Sequence, residues 1–317
     1  MISQSSTVYT SVPLTNVSLA YKNEEYICER VAPNVIVKQD SGKIYSYGMA
    51  NLRIVNTYRS VGGKPNVVET TVSSSDHYTL EDHVLGELIP DEVYENAEAP
   101  INPRIDVTES LTDRIMVDRE KALADVLSST SSITQNTTLS GTSQWNDYTN
   151  SDPLTNIKTA VNQVRAGSGM KPNTMIISWD AMNTLRFHPD VQAFFPGAAA
   201  VTADMVQDAL PRLFGLKNLL VGSAQYNNSN LGGTDTLADI WSKVCIICYI
   251  EPTPRLRSRT LAFTYTKKAG RQVDYMPKGQ GGLELLQRKA DYVQVSDKYD
   301  MVLVDQKCAY LIKDCIA

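Results

Sequence analysis

The chain has 317 residues, 42% of them hydrophobic and 21% charged, and a formal net charge of −5. That is enough for one elaborate domain or two ordinary ones with a normal core. The acidic balance excludes a sequence-blind grip on nucleic acid, which needs a basic surface, and no run of about 18 apolar residues occurs, so no membrane-spanning helix is expected.

In chain order, residues 1–20 carry no charge at all. They lack the basic and continuous apolar regions of a signal peptide, and Pro13, Asn16 and the Ser/Thr-rich run before Val12 break any helix. An extended, chargeless arm is expected, lying against another surface. VAPNVIVKQ, GKIYSYG and LRIVNTY, between residues 31 and 58, read as strands. Gly62-Gly63 and Lys64-Pro65 then mark a turn. Residues 40–80 are therefore expected to form a long polar two-stranded excursion, marginal by itself in water. The acidic stretch 81–100 reads as short helical turns divided by Pro90.

An amphipathic helix of about 20 residues follows, with Asp106 and Glu109 as its cap pair. Leu111, Ile115, Ala122 and Val126 form one stripe, Met116, Leu123 and Leu127 its neighbour, and charges including Arg119 and Glu120 fill the rest. The Ser/Thr tract from Ser128 reads as a surface crossing that buries little. Beyond it, residues 153–266 alternate helices and short apolar strands, a layered α/β unit. Asp152 caps its first helix, with Pro153 at the first position, and Gly167 and Gly169 end it. Thr202 starts another helix, kinked by Pro211. The tail reads mostly as β and is expected to pair back with the strands of residues 31–58.

Chemistry-bearing motifs are absent: no phosphate loop, zinc-protease helix or nucleophile elbow. Cys28, Cys245, Cys248, Cys308 and Cys315 are an odd count without a secretory signal, as for reduced thiols made in a cytoplasm. Cys245 and Cys248 sit three apart in a strand pattern, so they face opposite ways and read as core thiols. His77, His83 and His188 are scattered, and Asp235 and Asp239 read as a solvated rim. Arg255, Arg257 and Arg259 alternate and share one face if extended: a patch for a neighbouring subunit or nucleic acid, or a charged guard on an exposed edge. No catalytic, cofactor or metal residue is assigned.

VAPNVIVKQDSGKIYSYG, IPDEVYENAEAPINPRIDVTESLTDRIMVDREKALADVL, GTSQWNDYTNSDPLTNIKTA and the closing AYLIKDCI resemble the HK97-type major capsid proteins of tailed bacteriophages, and the order of elements agrees over nearly the whole chain. The resemblance implies an α+β fold of that type: an N-arm (1–33), peripheral-domain strands with an extended E-loop hairpin (34–100), a spine helix with crossing segment (101–144), an α/β axial domain (145–285) and a return β segment of the peripheral domain (286–317). It implies pentamers and hexamers closing an icosahedral virion shell, assembled in the host cytoplasm, that encloses double-stranded DNA without specific binding. Its partners would be further copies of itself, a portal and a decoration protein. A separate scaffolding protein is expected because no long N-terminal scaffolding segment precedes the arm. Arg59, Gly62, Gly63 and Lys64 at the loop turn, with Arg255, Arg257 and Arg259, are the expected assembly-interface residues. Lys64 has no identifiable cross-linking Asn or catalytic Glu, so covalent cross-links are not expected. A cellular nanocompartment shell of the same fold and a two-domain α/β enzyme are the alternatives.

Overall fold

A computed structural model describes residues 9–20, 25–47, 49–69, 72–73, 76–98, 101–194, 202–230, 232–253, 259–267, 270–279 and 282–317. The first elements are β1 (Tyr9–Thr10), α1 (Val12–Ala20), α2 (Cys28–Val31), β2 (Asn34–Ile36), β3 (Ser41–Lys43), β4 (Ser46–Tyr47), β5 (Val72–Ser73), β6 (His77–Thr79), β7 (Glu81–Pro90) and α3 (Asp91–Glu95). The middle holds α4 (Pro103–Leu127), β8 (Asn136–Thr138), α5 (Pro153–Ser168), β9 (Thr174–Ser178), α6 (Trp179–Phe187), α7 (Pro189–Gln192), α8 (Ala203–Leu213) and β10 (Asn218–Gly222). Then come β11 (Gln225–Asn227), β12 (Leu237–Asp239), β13 (Val244–Cys248), β14 (Ala262–Thr266), β15 (Gln272–Met276), α9 (Gly282–Arg288), β16 (Ala290–Leu303) and β17 (Ala309–Lys313).

Two sheets organise the molecule, and α4 joins them. In the first, the long strand β16 pairs with β7 on one edge, over ten residues from Tyr299–Glu81 to Ala290–Pro90. On its other edge it pairs first with β15 and then with β14; β1 and β2 complete the sheet. The second sheet has the order β10-β9-β13-β17-β8. Its central strands β9 and β13 are buried at every residue, as apolar strands covered on both faces must be. One face packs Ile176, Leu220 and Ile246 against Leu123 and Leu127 of α4 and Val31 of α2. The other packs Met175, Ile177 and Ile247 against Ile157, Met182 and Leu210 of α5, α6 and α8. Cys245 and Cys248 are buried free thiols in these two separate layers, as strand alternation requires.

The 25 residues of α4 span about 37 Å at 1.5 Å per residue. Leu111 and Ile115 in its first half pack on Ile89, Val273, Val293 and Val295 of the first sheet, while Leu123, Ala124 and Leu127 reach the second. Its cap is Asn102, whose side chain accepts the Arg104 N–H at 3.2 Å, with Pro103 at the first position; the expected Asp106–Glu109 start lies inside the helix. Ala122 and Val126, expected on the apolar stripe, are exposed.

Several expectations are corrected by pairing that local sequence does not display. The chargeless arm contains a helix, because Pro13 falls in the first turn of α1, where its missing N–H costs nothing. That helix lies on its own chain: Leu14 is buried beside Leu111, Ser18 Oγ is 2.8 Å from Thr112 Oγ1, and Arg271 donates to the Ser18 carbonyl at 3.1 Å. Residues 81–90 are strand, not helical turns, because β16 supplies a ladder partner. LRIVNTY forms no strand: a 3-10 turn over Met49–Leu52 gives way to irregular chain. The Ser/Thr tract is no bare crossing, since Ile133, Leu139 and Trp145 are buried, β8 pairs with β17, and the Trp145 N–H donates to the Cys315 carbonyl at 2.7 Å. The strand of RTLAFTYT, β14, belongs to the first sheet, not to the α/β unit. The final strand β17 joins the second sheet instead of returning to the first. The tail pairs with β14, β15 and β7, and includes the helix α9.

Asp152 caps α5 as expected, accepting the Thr155 N–H at 2.9 Å, and Gly169 ends the helix in the left-handed region at φ 71°. Hydrogen bonds from the Thr155 backbone and side chain hold the Asp152 carboxyl below its ordinary value. A depressed folded pKa adds stability above the unfolded value of about 4 and loses it as pH falls through the folded value. Asp152→Ala is therefore expected to cost about 1 kcal/mol at neutral pH. The gap from the parent chain should close in acid, below about pH 4, when melting is followed against pH.

Candidate interaction surfaces

The turn residues expected to form an interface do cluster. The Gly63 N–H donates to the Ser60 carbonyl at 3.0 Å, and Gly62 sits third in that turn at φ 77°, a conformation that favours glycine. Arg59 and Lys64 flank the turn, both exposed and neither in an ion pair among the described residues. One bond crosses the excursion, Asn66 Nδ2 donating to the Asn56 carbonyl at 2.7 Å, and one is local, the Tyr58 N–H donating to Asn56 Oδ1 at 2.9 Å. Its base is the antiparallel β3–β6 and β4–β5 pairs. Ile54 and Val61 are 102% and 106% exposed, and Tyr58 and Val67 are also exposed. Four large apolar side chains thus stand in water on one loop, a cluster of the kind that marks interaction sites on other proteins.

Arg259 does not share this surface. Its guanidinium is only 12% exposed and pairs with Asp305 at 3.3 Å, so it turns inward and is no free member of a basic face. Arg255 and Arg257 lie outside the described residues. Asp235 and Asp239 accept from the Asn227 and Gln225 amides. Among the described residues no group of three or more acidic, His or Cys side chains could hold a metal ion. His83 stacks on Tyr299 at 4.3 Å, and His188 is buried with Nε2 3.1 Å from Ser151 Oγ.

Sequence reasoning missed the polar hub that fixes the two sheets to each other. Glu120 is fully buried. Its Oε2 accepts the N–H groups of Ile27 at 3.1 Å and Cys28 at 2.7 Å, the first turn of α2, and its Oε1 accepts Trp241 Nε1 at 2.5 Å. One carboxylate thus ties α4 to the N-terminal segment and to the loop that leads into β13. Next to it, Arg119 is 4% exposed. It donates to Asn34 Oδ1 at 2.7 Å, lies 3.6 Å from Glu29 and 3.7 Å from Asp297, and stands over the Tyr299 ring at 5.0 Å. Burial pushes the Asp297 carboxyl up, and the opposing pull of Arg119 and Arg271 does not bring it back to its ordinary value. The signal was in the spacing. Arg119 follows Ile115 by four and Glu120 follows Met116 by four, so both occupy apolar-stripe positions where a charge must be buried and partnered.

A second cluster anchors the start of α4. Arg104 reaches Asp291 at 3.0 Å and the Tyr94 hydroxyl at 3.0 Å, and stacks 4.5 Å over Tyr275. Burial raises the Asp291 pKa, but bonds from the Tyr275 hydroxyl, the Lys278 N–H and Arg104 outweigh it and leave the carboxyl below its ordinary value.

No family model matches the chain. The major capsid protein of Burkholderia phage BcepMu is 27% identical over 308 residues, 94% of this chain and 94% of that one. The chain is similar over nearly its whole length to a phage major capsid protein. The fold agrees. The crystal structure of a phage-related protein from Bordetella bronchiseptica RB50 superposes with a TM-score of 0.75 at 21% identity, covering 98% of each chain. The capsid structure of cyanophage P-SCSP1u gives 0.58 at 9% identity, covering 93% of this chain and 89% of that one. The relative is named as a capsid component, which favours the phage reading over the cellular compartment. Among the described residues no helix is long and apolar enough to cross a membrane.

Proposed function

We propose that this chain is a phage major capsid protein that assembles as pentamers and hexamers into an icosahedral shell enclosing packaged double-stranded DNA. The observation that carries the proposal is the loop of residues 49–69, which holds Ile54, Tyr58, Val61 and Val67 together in water. Many weak contacts of this kind close a shell, because each added neighbour engages in an effectively intramolecular way. Residues 1–33 serve as the N-arm, with α1 docked on the spine helix α4. The E-loop lies within 34–100, the spine helix and crossing within 101–144, and the axial domain within 145–285, the first sheet's strands β14 and β15 apart. In the return segment 286–317, β16 serves the peripheral part and β17 the axial part. A scaffolding protein, a portal and a decoration protein are its partners, and the net charge of −5 suits a container that does not adhere to its cargo.

Expression with candidate scaffolding genes, followed by electron microscopy and nuclease treatment, tests this. Closed polyhedral particles of uniform size, with protected DNA when the packaging genes are present, are expected. A protein that stays monomeric with every candidate scaffold, or forms only open sheets, rejects it.

A further inference from the structure

Between Asp152 and Asp180 the chain carries no carboxylate, and between Asp208 and Asp235 it again carries none. Those two stretches hold the cations Lys158, Arg165, Lys171, Arg212 and Lys217, on a chain whose net charge is −5. The fold gathers them on one side of the α/β unit. Lys158 and Arg165 lie on the outer face of α5, in a stripe with Leu154 and Val161. Lys171 Nζ stands 3.0 Å from where a Cβ on Gly215 would be, and the Lys217 N–H donates to the Asn173 carbonyl at 2.8 Å, so the loops that follow α5 and α8 meet. All these cations are exposed, and none is in an ion pair among the described residues. Asp208 stands one turn before Arg212 on α8 and offsets that one charge. Asp152 is occupied in capping α5, and Asp190 lies against His188.

A groove of about 370 Å³ runs beside these cations, between α5 and the end of α8. Leu154, Val161, Leu213 and Phe214 line it with Lys158, and no carboxylate does so among the described residues. Leu213 is 45% exposed. An apolar floor beside uncompensated positive charge fits a surface of converse make-up: an apolar stripe with acid on its flanks. The stripe from Leu154 to Arg165 rises about 16 Å, room for about three turns of an apposed helix. A nucleic-acid duplex would meet the cations and leave the floor in water.

We propose that this groove docks an acidic amphipathic helix of a partner protein, with Leu154, Val161, Leu213 and Phe214 taking its apolar stripe while Lys158, Arg165 and Lys171 face its carboxylates. Apolar cover supplies affinity, and the charges supply partner choice and speed of encounter. The inference goes beyond shell formation and is tested on the dispersed protomer, so its failure leaves the shell reading standing.

The probe is a fluorescein-labelled helical peptide of about 14 residues, with a Leu stripe at helical spacing and Glu on both flanks, titrated with the full chain by fluorescence anisotropy. Micromolar binding is expected. The same peptide with Lys in place of Glu should bind more than about tenfold more weakly. The Glu peptide should lose as much on Lys158→Glu/Arg165→Glu, and again on Leu213→Asn, which removes part of the floor. The substituted positions are exposed, so circular dichroism and melting of the variants should match the parent. A Glu peptide that does not bind, or that binds the charge-reversed variant as well as the parent, overturns the proposal. A DNA duplex of about 20 base pairs that binds the parent more tightly than the Glu peptide, and lets go on reversal, gives the patch to nucleic acid and overturns it. Self-association of the parent protomer in sedimentation, abolished by Lys158→Glu/Arg165→Glu, gives the groove to a second copy and also overturns it.

Discussion

Replacing Glu120 by alanine is expected to lower the stability of the protomer by about 3–5 kcal/mol. The change removes the acceptor of three buried donors at once: the Ile27 and Cys28 N–H groups and Trp241 Nε1. Each is left unpaired in an interior where the desolvation penalty is not refunded by water. Glu120→Gln should cost less, because its amide oxygen still accepts the two backbone donors while its NH2 faces the indole N–H. The midpoint of denaturant unfolding of the dispersed protein, followed by tryptophan fluorescence, reads the difference. A Glu120→Ala loss below about 1 kcal/mol, the size of a single ordinary hydrogen bond, would show that the hub does not hold the two sheets together.

Gly222→Ala is expected to disturb the same junction from the other side. A Cβ on Gly222 would fall 2.4 Å from Cδ1 and 2.8 Å from Cβ of Trp241. Trp241 is buried and its indole is held by Glu120, so its near end cannot swing away. Overpacking of this kind costs about 1–3 kcal/mol, and displacing the indole adds the loss of its bond to Glu120. Gly86 makes the useful contrast. There a Cβ would meet the Tyr292 hydroxyl at 2.1 Å, but Tyr292 is only half-buried and the clash is with the far end of its side chain, which can rotate outward. Thermal unfolding should therefore show a markedly larger drop for Gly222→Ala than for Gly86→Ala. In a Glu120→Ala background the Gly222→Ala cost should shrink, because the bond it would break is already gone, and a double-mutant cycle measures that coupling.

What could be read from the sequence follows a physical line. Local, cap-marked elements were legible: Asp152-Pro153 opens α5, Gly169 closes it, Thr202 opens α8, and the alternation of Cys245 and Cys248 placed them in two layers. The turn at Gly62-Gly63 with Arg59 and Lys64 exposed beside it was equally plain, because turn chemistry is local. What failed depended on partners distant in the chain. Residues 81–90 look like acidic helical turns until β16 offers a ladder, and the Ser/Thr tract looks like bare crossing until β17 and the Cys315 carbonyl recruit it. LRIVNTY has the composition of a strand but finds no ladder partner among the described residues. By composition alone Arg119 and Glu120 read as surface charges, because charge usually lies outside. Only their spacing from Ile115 and Met116 marks them as buried, and only the fold shows what they bind. Arg259 was misread for the related reason that alternation says which residues share a face, not whether that face is covered.

The most direct test of the central claim, that shells form because the loop must find cover on another copy, is to replace residues 53–68 with a short turn and compare sedimentation and electron micrographs with those of the full chain under conditions where the full chain forms particles. The expected result is a folded protomer, with unfolding midpoint unchanged, that no longer closes particles. Shells of normal size and yield from the shortened chain would contradict the account.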